Sequence, residues 1–557
     1  MEPFYGVLCV GVCALPLLYL VWKHHPRYGA TPGAPSFPLL GILPSMLRNK
    51  HRFYEFTCDL FDLSPSLTRS VTVGRTVVLW TADPQVVHHI LKSHFLDYPK
   101  GPNFYPFFAD LLGNGIFNCD GALWRLQRKV ASHVFTSNSL RDFVVAIADA
   151  EIGGRLLPAL DSAQHNLDGC IDLQAFVMHY TFDTICQLTF GTDPACLESS
   201  KVKKAHVDAN SAPWTTSDDG HASHDIPMHR TYAKVPDHLI QGFVHAFQVA
   251  LQIIAERFLV PNFVWKLKSS LKIGSERGLM DALKVVREFT SFVIEQSKRD
   301  LASGKGRKDL LARFMLLSTD LAEVSDEQEG LSIPDALMKD ILLSFILAGH
   351  GTVASGITFT MWLLSIHSRV VSKVLEEING ILKRRDLNHV FEGSKVASFT
   401  YDEVREMHYL QAVLSESMRL YPPVPLDVKY AAQDDVFPDG TQVSEGCQVT
   451  YNVFAMGRAA RLWGEDCLEF RPERWLDESG LFVPASPFKY PVFQAGPRIC
   501  LGRDFAFIQM KLVVASLVRD LEFVVQPGFK PNLSYGVNMI MVNGLPVTIK
   551  KRRAPLC

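Results

Sequence analysis

The sequence predicts a mainly helical body of the α+β class, carrying small β-sheets and preceded by one membrane-spanning helix. Three observations lead there. Apolar patterns of helical period cover 238–258, 279–299 and 334–366, and another runs through Phe505, Ile508, Met510, Val513 and Leu517. Short alternating stretches at 70–81 and 539–550 are centred on Gly74-Arg75 and Asn543-Gly544 and read as hairpins. Finally, Phe4 to Trp22 is nineteen residues without a charge, long enough to span a bilayer.

The 557 residues are 47% hydrophobic and 20% charged, a composition able to bury a large core. Length by itself suggests about three or four domains. The motifs below run from end to end without a break in composition. The expected organisation is therefore an anchor at 1–31 and one catalytic domain at 32–557, with a mobile polar insertion at 199–237. A net charge of −2 excludes the basic stripe of a nucleic-acid-binding protein. Eleven cysteines, an odd number without a CxxC pair, fit a reducing compartment better than a disulfide framework or zinc ribbon.

In chain order, the apolar segment follows Glu2 rather than a basic start and is trailed by Lys23 and Arg27. An uncleaved anchor is expected, with the body on the cytoplasmic face of the endoplasmic reticulum. Pro32, Pro35, Pro38 and Gly41 form a stiff linker. Asp83-Pro84 opens a helix through His94. Residues 103–118 are aromatic-rich and punctuated by Gly113 and Gly115. Trp124 and Arg128, four apart, share a helical face. His206, His221, His224 and His229 in the insertion match no common metal-site spacing. The apolar link 260–265 fits membrane contact and core packing equally well. At the centre of 334–366 stands Ala348-Gly349-His350-Gly351-Thr352. Each of its glycines costs roughly 0.5–1 kcal/mol relative to Ala in a helix, which points to close approach of a ligand or a local kink.

The densest pattern is Phe493, Gly496, Arg498, Cys500 and Gly502. The glycines let backbone approach a flat ligand, the helix that follows favours a thiolate on Cys500, and Arg498 can answer a carboxylate. FxxGxRxCxG resembles the haem-binding signature of the cytochromes P450. The resemblance implies haem b with Cys500 as the axial thiolate to iron, and dioxygen as oxidant. It further implies that Trp124 and Arg128 meet a haem propionate, and that Phe104, Phe107, Phe108, Leu111 and Leu112 form a loop roofing the substrate. Gly349 would admit dioxygen and Thr352 hydrogen-bond it, with Ala348, Pro425 and Leu426 lining the pocket. Glu416 and Arg419, three apart, resemble the ExxR motif, with Arg474 as the third member of a buried stabilising network.

One departure stands out: Gly351 occupies the position at which the family writes an acid. Three readings follow. Water and Thr352 deliver protons with help from His350 or another group; the enzyme leaks peroxide; or the chemistry is that of an isomerase or dehydratase of lipid hydroperoxides. On the first, Gly351→Asp is expected to raise product formed per NADPH.

The runs SESMRLYPPVP, DDVFPDGTQV, MGRAARLWGED, FQAGPRICLG and WRLQRKVASHVF resemble the plant fatty-acid omega-hydroxylase branch. That implies hydroxylation at or near the terminal carbon of a fatty acid or a fatty-acid-derived conjugate. No Gly-rich dinucleotide fingerprint lies in a βαβ setting, so NADPH-derived electrons are expected through a membrane reductase. Arg125, Lys129, Lys489 and Arg503 are candidates to meet it.

Overall fold

In the computed structural model the described residues are 37, 40–62, 66–73, 76–135, 138–166, 170–199, 237–304, 307, 309–316, 334–387 and 399–552. The expected anchor, the linker prolines, the Gly74-Arg75 turn and the insertion between 199 and 237 lie outside them.

The described helices of ten residues or more are α1 (Phe53–Asp62), α2 (Gly101–Leu112), α3 (Gly121–Phe135), α4 (Asn138–Glu151), α5 (Leu157–Asn166), α6 (Leu173–Phe190) and α7 (Asp237–Arg257). They continue with α8 (Asn262–Leu271), α9 (Ser275–Ala302), α10 (Asp335–Gly349), α11 (Gly351–Ile366), α12 (Ser368–Leu387), α13 (His408–Leu420) and α14 (Arg503–Asp520). Asp172 caps α6 by accepting from Gln174 N, and Gly191 ends it at φ +58°. Asp83 likewise caps the helix opened by Pro84, which becomes a π-turn over His89–Ser93.

The pattern at 334–366 forms two helices broken at His350, whose backbone sits at φ −82°, ψ −74°. The kink is the expected consequence of glycine on both sides. This span is long and apolar enough to cross a bilayer, but it is mostly buried among α6, α9, α13 and α14. It is the central core helix.

The main sheet has the order β1 (Thr68–Val73), β2 (Thr76–Thr81), β7 (Gln448–Asn452), β4 (Leu426–Tyr430), with β2 parallel to β7 and the other pairs antiparallel. A second sheet joins β3 (Cys170–Asp172), β9 (Pro546–Lys551) and β8 (Leu521–Val525), and β5 (Asp435–Val436) pairs with β6 (Gln442–Val443).

Two expectations are corrected. The C-terminal hairpin does not fold on itself across Asn543-Gly544. Gly544 does turn at φ +67°, but β9 pairs with β8 and β3, while Met541 bridges Leu533. Alternation marks a strand without naming its partner. The aromatic stretch after Asn103 is not a loop but helix α2, because Phe104, Phe107, Phe108, Leu111 and Leu112 recur at three- and four-residue steps and form one buried face. The turn that follows docks on α10, with Asn114 N donating to Asp340 (2.8 Å).

Arg257 ties this region together. It donates to Phe107 O (2.9 Å), Asp110 (2.7 Å) and both oxygens of Glu276 (3.0 and 2.6 Å), and lies 4.5 Å from the Trp265 ring centre. Arg257 and Glu276 are both 2% exposed, so losing one strands the other's charge. Arg257→Leu is expected to cost about 3–5 kcal/mol in denaturant unfolding, whereas Lys284→Leu, on an exposed pair, changes it by less than about 1.

Candidate active site

The Cys500 loop is built from two short turns, Pro491–Phe493 and Gly496–Arg498, and is closed by Cys500 N donating to Phe493 O (2.8 Å). Gly496 sits at φ +64°, and a Cβ there would lie 1.9 Å from Leu91 O, so only glycine fits. The Phe493 ring is 5.1 Å from Phe507. A Cβ on Gly502 would make only ordinary contact with Phe135 and the Cys500 sulfur. Cys500 keeps accessible surface although protein surrounds it. Burial pushes its thiol up, against the pull of Gly502 N–H, Arg128 and Arg503. The α14 N-terminus therefore does not by itself secure the expected thiolate; a metal cation on the sulfur would.

Cations gather beside this loop. Arg498 donates to Asp120 (2.6 Å) and Cys119 O (3.0 Å) and packs 4.5 Å from the centre of the Trp124 ring. Arg128 of α3 is half-buried and near enough to Cys500 to favour its thiolate. Lys429 is 1% exposed, and burial followed by repulsion from Lys100 pushes its ammonium well down. Lys100 pairs with Asp427 (2.5 Å). Four basic groups (Lys100, Arg128, Lys429, Arg498) face two carboxylates (Asp120, Asp427) in a desolvated place, a surplus of one positive charge with Lys429 neutral and of two with it protonated. Haem b carries two propionates and needs a thiolate, so this set of groups fits it. Sequence reading missed Lys429 and Lys100. The available signal was a lysine at an inward position of the apolar strand β4, between Val428 and Tyr430.

On the distal side, every residue from 341 to 364 is buried except Ala348, Gly349 and Thr352. Thr352 Oγ1 donates to Ala348 O (2.5 Å). A Cβ on Gly349 would lie 2.3 Å from Ile185 Cδ1, so the glycine permits close packing on α6. His350 also faces α6. Its Nδ1 is 3.1 Å from Thr181 Oγ1, and its ring meets Phe182 edge-on. Burial, then His179, lowers its pKa to about 4, so it is neutral at pH 7.

The roof residues are brought together, though partly by one another. Phe104 stacks on Phe108 (5.3 Å), and Phe107 stacks on Phe258 (4.2 Å) at the end of α7. Leu111 and Leu112 are buried. Pro425 is buried where it receives Phe454 N, and Leu426 is half-buried at the start of β4.

Residues 31–550 match the family model described as cytochrome P450. The chain belongs to the cytochrome P450 family. It is a monooxygenase of that family, in which haem is held by a cysteine thiolate and electrons come from a redox partner. It is similar to cytochrome P450 94A1 of Vicia sativa (38% identical over 533 residues, 93% of this chain and 90% of that one). Cytochrome P450 94C1 of Arabidopsis thaliana is 40% identical over 502 residues, 89% of each chain. Cytochrome P450 86B1 of Arabidopsis thaliana is 36% identical over 548 residues, 97% of this chain and 89% of that one.

Behind the cysteine loop of this P450, Glu416 and Arg419 are fully buried. Arg419 donates to both Glu416 oxygens (2.7 and 2.8 Å), and Arg474 Nε (2.8 Å), Trp475 Nε1 (2.9 Å) and Arg471 N (3.0 Å) donate to the same carboxylate. Closer to the loop, Asp427 accepts from Gln494 (2.6 Å), Tyr451 (2.7 Å) and Lys100. Burial alone would raise its pKa, but Lys100, Lys429 and these bonds hold it well below the carboxylate range.

The sign of the pH effect follows. A depressed folded pKa stabilises at every pH above the unfolded value, about 3.9, and that contribution fades as pH falls toward the folded one. The stability gap between the natural chain and Asp427→Asn should thus stay constant from pH 7 to about 5 and shrink below about 4 in denaturant titrations. Gly496→Ala should give protein that retains little haem, measured by its absorbance against total protein.

Proposed function

We propose that this P450 hydroxylates the terminal (omega) or a near-terminal carbon of a fatty acid or fatty-acid-derived conjugate, drawing electrons from NADPH through a membrane flavoprotein reductase. The balance is one C–H bond, O2, NADPH and a proton giving an alcohol, water and NADP+. The observation that carries the reading is the shortness of the unburied strip on the distal helix: between 341 and 364 only Ala348, Gly349 and Thr352 are not buried, which would leave a narrow aperture. Such an aperture suits the end of an unbranched chain and holds stronger primary C–H bonds in place by position rather than reactivity. The phenylalanine face of α2 and the Pro425–Leu426 wall supply apolar surface for the rest. The runs that resemble the plant omega-hydroxylase branch point the same way.

Haem supplies the oxidising chemistry. The chain's share is to hold the iron through Cys500, seat the propionates on Arg128, Arg498, Lys429 and Trp124, and keep bulk water out. Thr352 would hydrogen-bond dioxygen. Membrane association is supported by α8, where Phe263 (72% exposed), Leu267 and Leu271 recur every four residues, with the anchor expected at 1–31. For the reductase, Arg125 and Lys129 are exposed on α3, and Arg503 is half-exposed beside Asp504; Lys489 leans on Trp463 instead.

Microsomes carrying this protein and a reductase, given fatty acids of graded length, should yield NADPH-dependent omega or near-terminal alcohols by mass spectrometry. Conversion of a lipid hydroperoxide without NADPH, and no alcohol with it, would overturn the reading in favour of an isomerase or dehydratase. Cys500→Ser should abolish both the alcohol and the thiolate signature of the carbon monoxide complex.

A further inference from the structure

Gly351 and Asn538 compete for one space. A Cβ built on Gly351 would lie 2.1 Å from Asn538 Nδ2, 3.0 Å from its Cγ and 3.5 Å from its Cβ. The nitrogen end of the carboxamide thus stands where a side chain of the distal helix would go. The segment bearing it is pinned on both sides. Met539 N donates to Pro423 O (2.9 Å), and Ser534 N donates to Ile540 O (2.9 Å). Gln174 donates to Met541 O (2.8 Å) and accepts from Met541 N (2.9 Å). Contact falls at the break between α10 and α11, one residue before Thr352, whose hydroxyl belongs to the only unburied strip between 341 and 364. His350, the other polar neighbour in the chain, is turned away onto α6.

We propose that Asn538 is a positioning residue for proton delivery. Its carboxamide, brought in from the C-terminal segment, orients water beside Thr352, and residue 351 is glycine because that amide needs the room. A carboxamide does not ionise near neutral pH, so it holds water without being the proton source. The two protons used per turnover come from solvent, and with the two electrons from NADPH they reduce one oxygen atom to water while the other enters the C–H bond. The proposal rests on the oxygenase reading. It also replaces the expectation that Gly351→Asp improves coupling: alone, that carboxylate meets Asn538.

The test is a cycle of Gly351→Asp, Asn538→Ala and the double variant, with Asn538→Leu and Asn538→Asp beside it, in haem-loaded full-length protein. Thermal unfolding reads the steric pair: Gly351→Asp should lower the melting temperature and Asn538→Ala should restore most of the loss. Additive effects would overturn the shared-space argument whatever the substrate. In reductase-coupled turnover, Asn538→Leu should lower product per NADPH about threefold, the worth of one net hydrogen bond, with a matching rise in peroxide. Asn538→Asp should recover it, since leucine keeps the volume and loses only polarity. Equal product-to-peroxide ratios in the natural, Leu and Asp forms would overturn the water-holding role. Should the Leu form not fold, Asn538→Ser, smaller and still polar, must couple better than Asn538→Ala, or the proposal fails. If no form consumes NADPH with any lipid, the oxygenase reading falls, while the melting cycle still decides the pair.

Discussion

A single carboxylate, that of Glu416, organises the side of the molecule on which the cysteine loop rests. It accepts five hydrogen bonds, from Arg419 twice, Arg474, Trp475 and the backbone of Arg471, with none of its surface exposed. Burying so many charges gains little net free energy, but it makes every alternative packing expensive, because each would leave one of them alone. Arg419 then spends its remaining donors on the carbonyl of Gly457, in the short helix Val453–Arg458, and on those of Cys467 and Glu469 in the turns that follow, which fixes the path of the chain there. Trp475 passes the constraint to Tyr490, whose hydroxyl returns to Ser415 O of α13 (3.0 Å). The next residue opens the loop that ends in Cys500.

What this scaffold presents is deliberately unbalanced. The thiol of Cys500 is pushed up by burial, and Lys429 is pushed down by it, so each charged form is disfavoured when left to the protein alone. Both conflicts would be relieved by haem, whose iron would favour the thiolate form of Cys500 and whose propionates would answer the spare cations. Binding is thereby linked to stability, since a ligand that relieves strain in the native state alone lowers its free energy by mass action. The fold's confidence in its Glu416 network and its frustration at the haem cradle are complementary: rigid support holds unfavourable groups in place until the cofactor arrives.

Much of this was legible in the sequence. Cys500 and its neighbours, the ExxR pair and the distal kink lie within single stretches, where spacing along the chain dictates spacing in space. The α2 phenylalanines illustrate the limit of a borrowed expectation: the resemblance said loop, while their own three- and four-residue recurrence said helix. What stayed hidden depends on contacts between distant segments. Lys429 looks like any strand lysine until Lys100, Asp120 and Arg498 are seen around it, and the close packing of Gly349 on Ile185 depends on a segment far away in the chain.

The distal helix shows why such contacts matter for chemistry. A side chain at 351 would be placed by a backbone already bent at His350, so its direction would vary with the kink. A carboxamide delivered from a segment tied to Pro423 and Gln174 is oriented by the β4 approach and by α6, which do not share that bend. Supplying the polar group from outside separates two requirements that a single helix residue would have to satisfy together: allowing the helix to break, and holding water at a fixed point beside Thr352. Glycine meets the first by having no Cβ, and its neighbour from the C-terminal segment meets the second because there is none.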